Sequence, residues 1–165
     1  MINLFVSFLL LATPQTKFLT YTNPMNKFNM RYPERWQNQA GMNAVAFLSP
    51  KENEQDAFQE NVNLMLQDLT QQPMNIDQYT ELTRQQVVQF AGNDAIVSLK
   101  DATIGGQPCK EFVFKMAYDG RNLKLKQYWF IKEQTAYLFT YTAETTQYAN
   151  YENVATNLMK SFSFY

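Results

Sequence analysis

The stretch Cys109–Glu144, CKEFVFKMAYDGRNLKLKQYWFIKEQTAYLFTYTAE, decides the fold. From Cys109 to Tyr118, the side chains of Phe112, Phe114, Met116 and Tyr118 recur at every second position, the period of a strand with one buried face. Asp119-Gly120 is a strong two-residue hairpin signal. The next strand, Leu123–Ile131, has Lys124, Lys126, Tyr128 and Phe130 on one face and Leu123, Leu125, Gln127, Trp129 and Ile131 on the other. Glu133-Gln134 then turns the chain into Ala136–Ala143, where Tyr137, Phe139 and Tyr141 share a face.

Working outward, Ala95–Ile104 turns at Gly105-Gly106 into this block and completes a four-strand meander. A helix precedes it. Gln71-Gln72-Pro73 breaks the chain, Asn75 or Asp77 can cap, and Ile76, Tyr79, Leu82, Val87 and Phe90 follow at helical spacing until Gly92-Asn93. Further upstream, Phe18–Thr22, Lys27–Tyr32, Asn43–Ser49 and Glu60–Leu69 read as extended segments. Pro33 cannot donate a ladder hydrogen bond, so the second of these should stop there and Trp36 should fold back onto the core. A last helix over Gln147–Ser161 carries Tyr151, Val154, Ala155, Leu158 and Phe162 on one stripe. Strands, helix, meander, helix is the order of an α+β domain, here a central antiparallel β-sheet flanked by two main helices over residues 18–165.

Composition narrows the chemistry. The chain has 165 residues, enough to bury a core without staples, and a net charge of -1, which leaves no electrostatic footprint for nucleic acid. It contains no histidine, which removes Ser-His-Asp and Cys-His catalysis, His-ligated zinc and the ordinary general base near neutral pH. A single cysteine, Cys109, excludes an internal disulfide and a thiolate metal cluster. These exclusions point away from an enzyme and from a bound cofactor or metal.

At the N-terminus, Leu4–Ala12 is an apolar run broken only by Ser7, the length of a signal-peptide core and too short to span a bilayer. No Lys or Arg precedes it, so a hydrophobic N-terminal strand is the other reading. Export to the periplasm or cell exterior is the expectation, with a cytoplasmic location as the alternative, and residues 1–17 stand apart from the domain. No cysteine lies near this segment, so lipoprotein anchoring has nothing to use.

The segments FNMRYPERWQ, NAVAFLSP and ENVNLMLQDL, followed by GQPCKEFVFKMAYDGRNLKLKQYWFIKEQTAYLFTYTAE and a helix ending LMKSFSF, resemble PsbP-like domains from about Phe18 to Phe164. The strand-hairpin-strand block and the final Ser161-Phe162 ending carry most of the resemblance. It implies an α/β/α sandwich, the fold shared with a Ran-binding nuclear-import factor, DcrB and type VI effector chaperones. What such domains share is a binding surface rather than a reaction. The histidine-containing metal sites of some members cannot exist in this chain, and no Ran-contacting residues can be matched.

Candidate sites follow from exposure and chemistry. Both faces of Leu123–Ile131 are apolar or amphipathic, so each should be covered or should hold something. A groove left partly open, lined by Tyr128, Phe130, Tyr137, Phe139 and Tyr141, would take a protein partner or a hydrophobic peptide. Glu52, Glu54, Asp56 and Glu60 lack the glycine and ligand spacing of a calcium loop and read as a solvated face. Strand parity sets Cys109 opposite Phe112 and Phe114, whereas the resemblance puts a small packed residue there; it reads as a bystander thiol. Asp101, Glu111 and Asp119 show no pairing that would make a carboxylate dyad. The expected function is a non-enzymatic binding or accessory role through protein contacts; the alternative is a cytoplasmic chaperone for hydrophobic segments of a secretion effector.

Overall fold

The computed structural model describes residues 16–165. The apolar run at residues 4–12, with its alternative readings, lies outside them. The elements are β1 (Phe18–Asn23), β2 (Phe28–Pro33), β3 (Gln37–Ala40), β4 (Ala44–Leu48), β5 (Asn61–Asp68), α1 (Ile76–Ala91), β6 (Ile96–Ile104), β7 (Gln107–Tyr118), β8 (Arg121–Lys132), β9 (Thr135–Glu144), α2 (Tyr148–Lys160) and β10 (Ser163–Phe164). One sheet has the order β3-β4-β5-β9-β8-β7-β6 and a smaller one the order β1-β2-β10. Neighbouring strands pair antiparallel throughout.

The meander β6–β9 forms as its turn residues dictate. Asp119-Gly120 and Gly105-Gly106 take positive φ at both positions, the geometry of tight hairpins. Glu133 and Gln134 do the same at φ 49° and 58° without a glycine, held by strands that pair on either side. Across the meander, Glu111 stands opposite Tyr128 and Tyr128 opposite Phe139, so these side chains share one face. Trp129 projects from the other face.

Side-chain alternation divides the core in two. One cluster gathers Tyr128, Phe130, Phe139, Tyr141, Val45, Phe47, Val62 and Leu64 against Ala155, Leu158 and Met159 of α2. The second gathers Phe112, Phe114, Leu123, Leu125 and Trp129 with Tyr79 and Val87 of α1. Trp36 is buried in the first cluster beside Tyr151, with ring centroids 6.2 Å apart, as its place after Pro33 predicts.

Two strands escape the sequence reading. β3 is wholly exposed and, apart from Ala40, polar, so it has no alternation to find, and it exists through its ladder with β4. β10 is two residues long and exists through its pairing with β2. The acidic segment after Pro50 also departs from expectation. Glu52 and Glu54 are exposed and Asp56 is half-buried, but Glu60 is only 1% exposed, because its place opposite Ser49 continues the inward face of β4 and β5. It is no part of a solvated face.

Candidate functional site

Cys109 is buried, and Asp101, Glu111 and Asp119, the carboxylates singled out in the sequence, are ion-paired. Cys109 is buried among the α2-side residues, on the face opposite Phe112 and Phe114, and burial pushes its thiol up to about 11. Asp101 pairs with Lys110 at 2.7 Å, Asp119 with Arg121 at 3.3 Å and Glu111 with Lys100 at 3.1 Å. Among the described residues no group of three His, Cys, Asp or Glu side chains could hold a metal ion.

The aromatic groove expected on β8 and β9 is closed. Tyr128, Phe130, Tyr137, Phe139 and Tyr141 are all buried in the α2-side core. Phe130 and Tyr137 stack at 4.8 Å, and Phe162 fills the space above them, 5.8 Å from Phe130 and 5.2 Å from Phe139. Phe164 follows, 5.4 Å from Tyr137. The physical cause is the chain's return after α2: Ser161 caps the helix, donating to the Leu158 carbonyl at 2.6 Å, and β10 then docks on β2. Two of the three hydroxyls are satisfied within the fold. Tyr128 donates to Glu111 at 2.6 Å and Tyr141 to the Tyr148 carbonyl at 2.8 Å. These five residues make core rather than a surface for a partner.

The open apolar site lies on the other side, beside α1. Asn75 caps this helix through a reciprocal capping box with Gln78. Its first turns are fixed to the sheet, with Trp129 Nε1 donating to Thr80 at 3.0 Å and the Tyr79 hydroxyl to Gln67. Beyond Tyr79 the apolar positions fork. Thr83 and Val87 continue down onto the sheet, while Leu82, Gln86 and Phe90 run along the flank at four-residue intervals. That flank, with Leu69, Met74, Phe114, Met116, Gln127 and Leu138, bounds a cleft of about 340 Å³. The volume lies within the range of small-molecule and side-chain pockets.

No Asp, Glu, Lys or Arg lines the cleft. Its one titratable group is the Tyr79 hydroxyl, which burial raises to about 12. Phe90 is 80% exposed at the mouth and Leu82 39%. An uncharged cleft rimmed by exposed phenylalanine and leucine can take apolar side chains. Leu82 and Phe90 stood in the sequence as part of a helical stripe; the signal that they are surplus is that the stripe is wider than a single buried face needs.

A family model described as PsbP-like protein matches residues 11–164. The chain belongs to the PsbP-like family. No curated protein matches it. Among solved structures, this PsbP-like chain is similar to a protein of unknown function from Pseudomonas aeruginosa, with a TM-score of 0.62 at 16% identity, over 87% of this chain and 94% of that one. It is similar to the cyanobacterial PsbP of Synechocystis sp. PCC 6803, with a TM-score of 0.59 at 12% identity, over 91% and 94%. It is also similar to the Ran-binding protein Mog1p of Saccharomyces cerevisiae, with a TM-score of 0.57 at 6% identity, over 90% and 96%. At these identities the likeness is one of fold. No helix of the described residues is long and apolar enough to cross a membrane.

Proposed function

We propose that this PsbP-like domain is an exported, non-enzymatic accessory protein that holds a protein partner at the cleft beside α1. The observation that carries this reading is the exposure of Phe90 and Leu82 over a cleft with no charged lining. Leaving a phenylalanine in water forgoes roughly 1.5–3 kcal/mol of burial that a partner can recover. The two helices, read as covering the sheet from both faces in an α/β/α sandwich, leave this cleft as the place where apolar sheet and helix meet solvent. A protein-binding role for a similar fold is named in the Ran-binding Mog1p, which lends support at the level of fold alone. The missing histidine and the paired carboxylates favour binding over catalysis.

The test is a pull-down from the native cell with the tagged domain and with a Leu82→Asp/Phe90→Asp variant, read by mass spectrometry. A partner recovered by the native domain and lost by the variant, with unchanged circular dichroism, is the expected result. Recovery of no partner above background by the native domain would sink the proposal. A second reading is a cytoplasmic chaperone for hydrophobic segments, favoured by the same uncharged lining. Cell fractionation with N-terminal sequencing separates the two, since an uncleaved cytoplasmic product removes the exported reading.

A further inference from the structure

Ser49 and Glu60 face each other just past the last rung of the β4–β5 ladder, the Ser49 amide donating to the Glu60 carbonyl at 2.8 Å. Both side chains are buried, and both the Ser49 hydroxyl oxygen and the Glu60 Oε1 lack a hydrogen-bond partner. Buried polar atoms are nearly always paired, so two orphans side by side mark an anomaly that packing does not explain. Charge deepens it. The titratable groups facing Glu60 are Glu52 and Asp56 from the segment between Pro50 and β5, Tyr141 from β9 and Tyr151 from α2. None is a cation.

The segment Lys51–Gln59 leaves the sheet after Ser49-Pro50 and returns to it at Glu60. It is folded locally by Asp56, which accepts the amides of Glu52 at 2.9 Å and Phe58 at 3.0 Å. To α2 it is fastened through Glu52, which receives Gln147 Nε2 at 3.2 Å and the Tyr151 hydroxyl at 3.3 Å. Pro50, at its start, forms one wall of a groove of about 550 Å³ that also has Trp36, Tyr151 and Val154 in its lining.

We propose that Glu60 is a proton-controlled latch: with the carboxyl neutral the Lys51–Gln59 segment stays on α2, and loss of the proton releases it and widens the Trp36–Tyr151 groove. The step is a proton transfer from Glu60 to solvent. It leaves a third carboxylate beside Glu52 and Asp56 in a place without a cation, and the repulsion acts on the segment that carries the other two. Burial, first, raises the Glu60 carboxyl above the ordinary range against the opposing pull of hydrogen bonds from the Glu60 and Glu144 backbone, and Asp56 and Glu52 add to the rise. The latch acts on the α2 side of the domain and is independent of the α1 cleft.

Hydrogen exchange read by mass spectrometry tests it on the whole chain, with rates corrected for intrinsic pH dependence. Between pH 5 and pH 8.5 the protection of residues 51–59 should fall by about tenfold or more, while β8 keeps its protection. Glu60→Gln should hold the segment closed across the range, and Ser49→Ala, which removes one orphan oxygen and leaves the carboxyl, should retain the transition. Equal pH dependence in native protein and Glu60→Gln overturns the latch, as does loss of protection spread evenly over β8 and the segment. If Glu60→Gln folds poorly, the Ser49→Ala variant and the native profile decide alone: a flat native profile is also a refutation.

Discussion

A Cβ placed on Gly105 would stand 2.3 Å from the carbonyl oxygen of Phe162. The β6–β7 turn and the residue that fills the space over β8 and β9 are therefore pressed together, backbone to backbone. Gly105 also has φ +53°, so an L side chain there is strained even before it collides. Gly105→Ala should destabilise the domain by about 2–5 kcal/mol, combining backbone strain with an overpacked contact. Gly120→Ala, at φ +74° with nothing within 4 Å, should cost only about 1–2 kcal/mol. Urea unfolding of both variants checks the difference.

Trp36 and Phe90 should separate stability from binding. Trp36 is 6% exposed, so Trp36→Ala should lower stability by ~3–5 kcal/mol. Phe90→Ala, at a position 80% exposed, should stay within about 0.5 kcal/mol of the native protein. A Phe90→Ala variant that melts far below the native domain would mean the residue serves the core instead of the cleft.

Cys109 should be inert in the folded protein. With its thiol raised to about 11 and its side chain packed under α2, labelling by a disulfide reagent at pH 8 should follow global unfolding. Rapid stoichiometric labelling of native protein would contradict this.

Glu111 should show the opposite pH dependence from Glu60. Burial acts to raise its carboxyl, but hydrogen bonds from Tyr128 and Lys100, with the charges of Lys100 and Lys126, outweigh it and leave it below the ordinary value. A depressed folded-state pKa gives stability that is complete above the unfolded pKa and is lost as pH falls through the folded one. Glu111→Gln should therefore cost roughly 1–3 kcal/mol at pH 7, and the gap to native should close in acid. Chemical denaturation from pH 7 down to pH 2 measures it; a gap that stays constant sinks this reading.

Much of this fold was legible because the meander repeats one rule three times. Phe112/Phe114, Tyr128/Phe130 and Tyr137/Phe139 alternate, and each pair is bounded by residues that accept positive φ. Helix α1 announced itself through Asn75 and its stripe. The site was less legible, and for a definite reason. Alternation tells that Tyr128, Phe130 and Tyr137 share a face, but not whether that face is covered. Phe162, which the helical stripe singled out, and Phe164 supply the cover, but the return that brings Phe164 back is only two residues long, too short for a local pattern. Glu60 was misread in the same way: a glutamate among acidic neighbours looks solvated until its partner strand places it inward.

Strand β2 has one further consequence, in time rather than in space. Its first neighbour, β1, lies just upstream, but its second, β10, comes only after α2, and the Arg31 amide donates to Ser161 across 130 residues. During synthesis, Phe28 and Met30 must wait for Leu158, Phe162 and Phe164 to emerge before the α2-side core can close. The meander can pair early, from local contacts, while this half of the molecule stays an unfinished, apolar chain. The α2-side core thus closes only once nearly all of the chain has been made.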